Sequence, residues 1–150
     1  MTAVPEGFEL MPPYGRFGEF IGPIYWKEVD GAMVIGLRVE EHHCGIAPFL
    51  HGGMVASLVD TAFTWATRRL YDASLGIVTT NLSIDYIGGA GPGDWVEARV
   101  DVVRSGKRLT FLSCFVWKGE ERIARASAQF QAVPRDKRPV TLLRTVPEKS

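Results

Sequence analysis

The stretch "FLHGGMVASLVDTAFTWA", residues 49–66, decides how the rest of the chain is read. Val55, Leu58, Val59, Ala62, Phe63 and Ala66 recur at spacings of three and four, the pattern of one buried helical face. Extended to Leu70, the pattern predicts a central helix over about residues 53–70, roughly 25 Å long at 1.5 Å per residue. Asp60 is the only carboxylate in this run, and no Lys or Arg follows it until Arg68. An ionised acid in apolar surroundings costs several kcal/mol unless something specific offsets it. A structural acid held at an interface is one reading of Asp60; a functional one fits better, because Asp60 is in phase with the glycines ahead of the helix.

Around the helix the hydrophobic period falls to two. "GEFIGPIYWKEVDGAMVIGLRVEE", residues 18–41, reads as two strands turning at Asp30-Gly31, a strong hairpin signal. "HHCGIAPFLHGG" is an irregular connection into the helix. Beyond it, "GIVTTNLSIDYI", "DWVEARVDVVRS", "KRLTFLSCFVWKG" and "ERIARASAQFQAV" read as four strands, the last three joined by the turns "SGKR" and "KGEE". One helix cannot cover two sheets, so the expected fold is α+β, a single antiparallel sheet curling around the helix. Pro5, Pro12, Pro13, Gly7 and Gly15 predict a loosely ordered arm over residues 1–17, ahead of a domain over 18–133. The polar, Pro-broken segment 134–150 is expected to be an extension or tail.

Composition narrows the function classes. A formal net charge of zero argues against a non-specific nucleic-acid binder, which needs a basic excess. The apolar runs fall short of the roughly 18 residues of a membrane span, and the start "MTAVPEGFELMPP" lacks the pattern of a signal peptide. Cys44 and Cys114 are too few for a disulfide framework and lack zinc-ligand spacing. The expectation is a cytoplasmic protein without a metal, a nucleic-acid partner or a membrane anchor.

The candidate chemistry lies at the helix start. His51, Gly52 and Gly53 precede a run of N–H groups that lack intrahelical partners, where the helix dipole is positive and an oxyanion is well served. On the helical wheel Gly53, Ser57, Asp60, Thr64 and Thr67 form a small or polar stripe opposite the apolar face. Gly53 and Asp60 are about 10 Å apart along the axis, too far to act on one atom from a single chain. An antiparallel second helix crossing near Ala56 and Ser57 would bring the Gly53 of one copy to the Asp60 of the other. The geometry therefore predicts a homodimer with two shared sites.

At this point "HGGMVASLVDTAFTWA", "TTNLSIDY" and "RSGKRLTFLS" together resemble the PaaI-like branch of the hotdog-fold acyl-CoA thioesterases, within the 4-hydroxybenzoyl-CoA thioesterase superfamily. The resemblance covers about residues 17–132. It implies a hotdog sheet around the helix, a double-hotdog dimer and often a homotetramer, with an acyl-CoA substrate and no cofactor beyond the coenzyme A it carries. Position by position, it implies that the Gly52 N–H polarises the thioester carbonyl, Gly53 keeps the turn open, and His51 holds the turn. Asp60 would be the acid, a general base or a nucleophile. Thr79 would supply a hydroxyl near the water, with Thr80 the alternative in register. Arg104, Lys107 and Arg108, at the turn "RSGKR", would meet the CoA phosphates or stand as a solvated hairpin. Phe49, Phe63, Trp65 and Tyr86 would line an acyl pocket or fill the core, and Phe63 is the aromatic put forward as a substrate contact.

One position departs from the pattern. Family members commonly carry Asn six residues before the motif His, where this chain has Gly45. His43 and Cys44 stand close enough to be considered as replacements. A Cys44 nucleophile and a His42–His43 metal pair are minor readings, lacking supporting neighbours. The departure favours an alternative function, a non-catalytic acyl-CoA or small-acid binding hotdog protein. A hotdog dehydratase is disfavoured, since its His/Asp pattern is not evident.

Overall fold

The computed structural model describes residues 3–12 and 15–135. In chain order the elements are β1 (Glu9–Leu10), α1 (Gly15–Ile21), β2 (Ile24–Val29), β3 (Ala32–Arg38), a 3-10 turn (Glu41–His43), α2 (Gly52–Arg68), β4 (Leu75–Tyr86), β5 (Trp95–Ser105), β6 (Leu109–Lys118) and β7 (Glu121–Pro134). The seven strands form one antiparallel sheet in the order β1-β2-β3-β5-β6-β7-β4. Placing β4 beside β7 closes the curl around α2, the hotdog arrangement.

The hairpin forms where Asp30-Gly31 predicted it. Both residues adopt positive φ, 50° and 79°, the left-handed pair that a two-residue turn between twisted strands requires. Helix α2 buries Met54, Val55, Leu58, Val59, Ala62, Phe63 and Ala66 against Ile35, Leu37, Val96, Leu112, Val116 and Phe130 of the sheet. Ala124, Ala126, Ala128 and Ala132 supply the inward positions of β7, where small side chains let the helix lie close. Each fully buried Leu or Phe here contributes about 1.5–3 kcal/mol through apolar burial.

Two N-terminal expectations differ from the structure. Within the span read as a loose arm, Glu9 and Leu10 pair with Trp26 and Tyr25, adding a seventh strand. The side chain of Phe8 packs edge-on against Trp95, with ring centroids 5.0 Å apart. Gly15–Ile21, partly read as the start of a strand, is a short helix that turns Gly18 and Ile21 inward. The C-terminal extension lies outside the described residues from 136 onward. Among the described residues, no helix is long and apolar enough to cross a membrane.

Candidate active site

Strand β4 runs antiparallel beside α2 and touches it at three levels. Near one end the Tyr86 hydroxyl donates to the Gly52 carbonyl at 2.7 Å. In the middle the Thr79 hydroxyl donates to Asp60 Oδ1 at 2.8 Å. At the far end Arg68 donates to the Leu75 carbonyl at 2.5 Å.

The middle contact depends on a bulge. Thr79 pairs with Phe130, but Asn81 pairs with Gln129, so Thr80 is an extra residue on β4. Strict alternation would group Thr80 with Leu82 and Ile84. The bulge instead aims Thr79 at the helix, along with Leu82 and Ile84, and leaves the Thr80 hydroxyl donating to the Gln129 carbonyl at 2.9 Å. Of the two candidate threonines, Thr79 is therefore the one beside Asp60.

Asp60 is half-buried rather than enclosed, on a stripe with Gly53, Ala56, Ser57 and Thr64 that the chain's own sheet leaves uncovered. Thr67, expected on this stripe, is fully buried. With Oδ1 held by Thr79, Oδ2 is oriented for another proton donor. The Thr79 oxygen, having spent its hydrogen on Asp60, can accept from water.

The helix start is built from interlocked hydrogen bonds. His51 is the N-cap, with φ −64° and ψ 137°, and its Nδ1 accepts the Gly53 N–H at 2.8 Å. The peptide between Gly52 and Gly53 is thus held at both ends, by His51 and by Tyr86. The His51 carbonyl accepts from Met54 N–H at 2.8 Å and Val55 N–H at 3.1 Å. That carbonyl shares a peptide unit with the Gly52 N–H, which these bonds polarise further. The Gly52 N–H has no acceptor among the described residues. Neighbours crowd both glycines: a Cβ on Gly53 would lie 3.0 Å from His51 Nδ1, and one on Gly52 3.3 Å from the Tyr86 ring, so a side chain at position 52 requires that ring to give by a few tenths of an ångström. Tyr86 was legible only as a pocket or core aromatic. Its polar tip at the end of an inward-facing strand row was the available signal.

Other candidates fall elsewhere. Phe63 is 0% exposed and packs edge-on against Phe130, which makes it a core residue rather than a substrate contact. His43 is 2% exposed; its Nδ1 accepts the Glu40 N–H at 2.9 Å and its Nε2 faces the Ile21 carbonyl at 2.8 Å, so it cannot replace the missing Asn. Burial, then the neighbouring His42, lowers its pKa, in keeping with a neutral ring. Cys44 Sγ points at the Glu40 carbonyl, 3.5 Å away. A Cβ on Gly45 would touch the His51 ring at 3.5 Å, an ordinary contact, so the position is open beside the cap. Arg104, Lys107 and Arg108 are exposed at the β5–β6 turn, where the Tyr71 hydroxyl donates to the Gly106 carbonyl at 2.8 Å. Among the described residues no group of three or more His, Cys, Asp or Glu is placed to hold a metal.

The profile of the Thioesterase superfamily matches residues 47–124, from the loop ahead of α2 into β7. A Pseudomonas aeruginosa protein named "Putative esterase PA0474" is 31% identical over 131 residues, covering 87% of this chain and 98% of that protein. The chain belongs to the thioesterase superfamily. Human acyl-coenzyme A thioesterase 13 is 32% identical over 109 residues, covering 72% of this thioesterase and 77% of the human chain. Among solved structures, a point mutant of the phenylacetic acid degradation protein PaaI from Thermus thermophilus superposes with a TM-score of 0.69. At 24% identity over 78% of this chain and 98% of that one, it is a likeness of fold.

Proposed function

We propose that this thioesterase hydrolyses an acyl-CoA to the free acid and CoA, using Asp60 of one protomer and the Gly52 N–H of its partner. The observation that carries the reading is the Asp60–Thr79 pair on the uncovered stripe of α2, two helical turns from a helix start whose Gly52 N–H has no acceptor among the described residues. Eight residues separate Gly52 and Asp60, about 12 Å of helix rise, so one chain cannot apply both to a single carbonyl. An antiparallel second copy can.

In the water route, the Asp60 carboxylate accepts a proton from a water oriented by Thr79. The hydroxide attacks the carbonyl carbon, and the Gly52 N–H stabilises the oxyanion. Collapse breaks the C–S bond, and the CoA thiolate leaves and is protonated. In the nucleophilic route, Asp60 attacks directly, CoA leaves, and water cleaves the resulting mixed anhydride. Oxygen-18 incorporation into Asp60 in a single turnover distinguishes the two. Neither route calls for a cofactor beyond the coenzyme A of the substrate. Arg104, Lys107 and Arg108 are the proposed cations for its phosphates. Two free thiols suit a reducing compartment, and the cytoplasm is the proposed location.

The decisive experiment is Asp60→Asn against a panel of acyl-CoAs. Turnover should fall by about 10²–10⁴-fold, the usual worth of a positioned acid–base group, with an unchanged circular dichroism spectrum. Unchanged hydrolysis would remove Asp60 from the mechanism. Gly45 favours a second reading, a binder without turnover. Wild-type protein that retains acyl-CoA but releases no thiol would establish it.

A further inference from the structure

The stripe that carries Asp60 runs on into a hollow. One helical turn beyond Asp60, Thr64 joins Trp65, Arg68, Leu75, Gly76, Ile77 and Arg135 around a cavity of about 230 Å³. Ile77 stands two residues from Thr79 on the same inward row of β4, paired with Ala132 as Thr79 is with Phe130. Thr64 and Asp60 are i, i+4 neighbours, about 5–6 Å apart at Cβ. Thr64 and Ile77 thus place the hollow one helical turn from Asp60 and two strand residues from Thr79.

Trp65 forms part of the wall of this hollow. It also lines a second cavity of about 440 Å³, with Leu10, Met11, Pro12, Trp26 and Met33 as its apolar wall and the Glu28–Arg69 ion pair at its rim. The arm containing β1 supplies part of that wall. The two hollows share Trp65, with Arg68 on the near side and Arg69 on the far side. Arg68 is committed to the backbone: its guanidinium donates to the carbonyls of Leu75, Tyr71 and Asp72 at 2.5, 2.9 and 2.5 Å. It holds the near cavity's shape instead of presenting a charge to a ligand.

We infer that Trp65 is a length gate: the near hollow takes a short or medium apolar acyl group, and the Trp65 ring bars longer chains from the larger cavity behind it. This rests on the proposed acyl-CoA reading and adds its substrate class. At about 30 Å³ per water-sized group, a methylene being similar in size, the near cavity takes on the order of eight carbons. Each methylene buried there should raise kcat/KM by about fourfold until the ring is reached.

The test is a series of saturated acyl-CoAs from two to sixteen carbons on wild type, Trp65→Ala and Ile77→Phe. Wild type should peak near eight carbons. Trp65→Ala should extend the rise to chains longer than eight carbons. Ile77→Phe, which fills the near cavity, should shift the peak to shorter chains. In parallel, non-hydrolysable S-octyl-CoA and S-hexadecyl-CoA are titrated by calorimetry. Octyl should bind wild type and hexadecyl should bind only Trp65→Ala. If no thioester is cleaved but this binding pattern holds, the hydrolase reading falls and the gate stands. Equal binding of both thioethers by wild type, binding of neither, or profiles unmoved by both substitutions would overturn the gate.

Discussion

At Asp60 a single hydroxyl does more than its size suggests. The Thr79 bond fixes which carboxylate oxygen is occupied and therefore where the other one points. A hydrogen bond to a charged group is worth about 1.5–3 kcal/mol, so Thr79→Val should lower kcat roughly 10- to 100-fold with little change in KM. Thr79→Ser should restore most of the loss, and steady-state kinetics on the three proteins checks both. A Val variant with full activity would show that Oδ1 needs no partner. The phase of Asp60 with Gly53 on one helix face was legible because helical phase depends only on spacing along the chain, whereas His51 as the residue holding the turn was implied by the family resemblance. Thr79 was legible only as one of two registers, because "TTNLSIDY" alternates cleanly and shows no sign of the bulge. The inward turn of Phe63 was open for the related reason that an aromatic on the apolar face suits either a core or a pocket.

Among the elements, α2 and the strand pattern could be read from hydrophobic period because each buries one long continuous face. Helix α1 could not. It is seven residues long, turns only Gly18 and Ile21 inward, and leaves Phe17 and Phe20 61% and 78% exposed, so no amphipathic signal marks it. What ties it down is the 3-10 turn, where His43 bridges the Glu40 N–H and the Ile21 carbonyl. This makes the link between α1 and the loop leading to the site sensitive to acid. The folded pKa of His43 is lowered from 6.5, by burial first and His42 second, with the Ile21 carbonyl and then Glu40 opposing, so the unfolded chain binds the proton more tightly. Stability attributable to this histidine is present above about pH 6.5 and is lost as the pH falls below it. Urea midpoints measured from pH 8 to pH 5 should decline faster for wild type than for His43→Gln, which keeps hydrogen-bonding capacity and removes the titration. Parallel curves would assign the acid sensitivity elsewhere.

For the whole molecule, the uncovered stripe of α2 implies the proposed partnership between two chains, and mixing variants tests it directly. Gly52→Pro deletes the proposed oxyanion donor with little other disturbance. Proline is well suited to the first position of a helix, and the extended backbone of His51 is compatible with a following proline. A Cβ at position 52 meets the Tyr86 ring at 3.3 Å, so the circular dichroism spectrum of the variant is recorded alongside its activity. Asp60→Asn deletes the acid. Each variant alone should be nearly inactive, because both sites of its homodimer lack one component. In a mixed dimer, one site combines both defects and the other pairs the intact Asp60 with the intact Gly52. Random reassortment at equal concentrations makes half the dimers mixed, and each regains one of two sites. The mixture should then recover about a quarter of wild-type activity if the assembly is a two-fold dimer. Recovery should track subunit exchange, followed by native mass spectrometry of differently tagged chains. If exchange is complete and activity stays at the level of the separate variants, the two groups do not meet across an interface, and a site confined to one chain must replace the shared one.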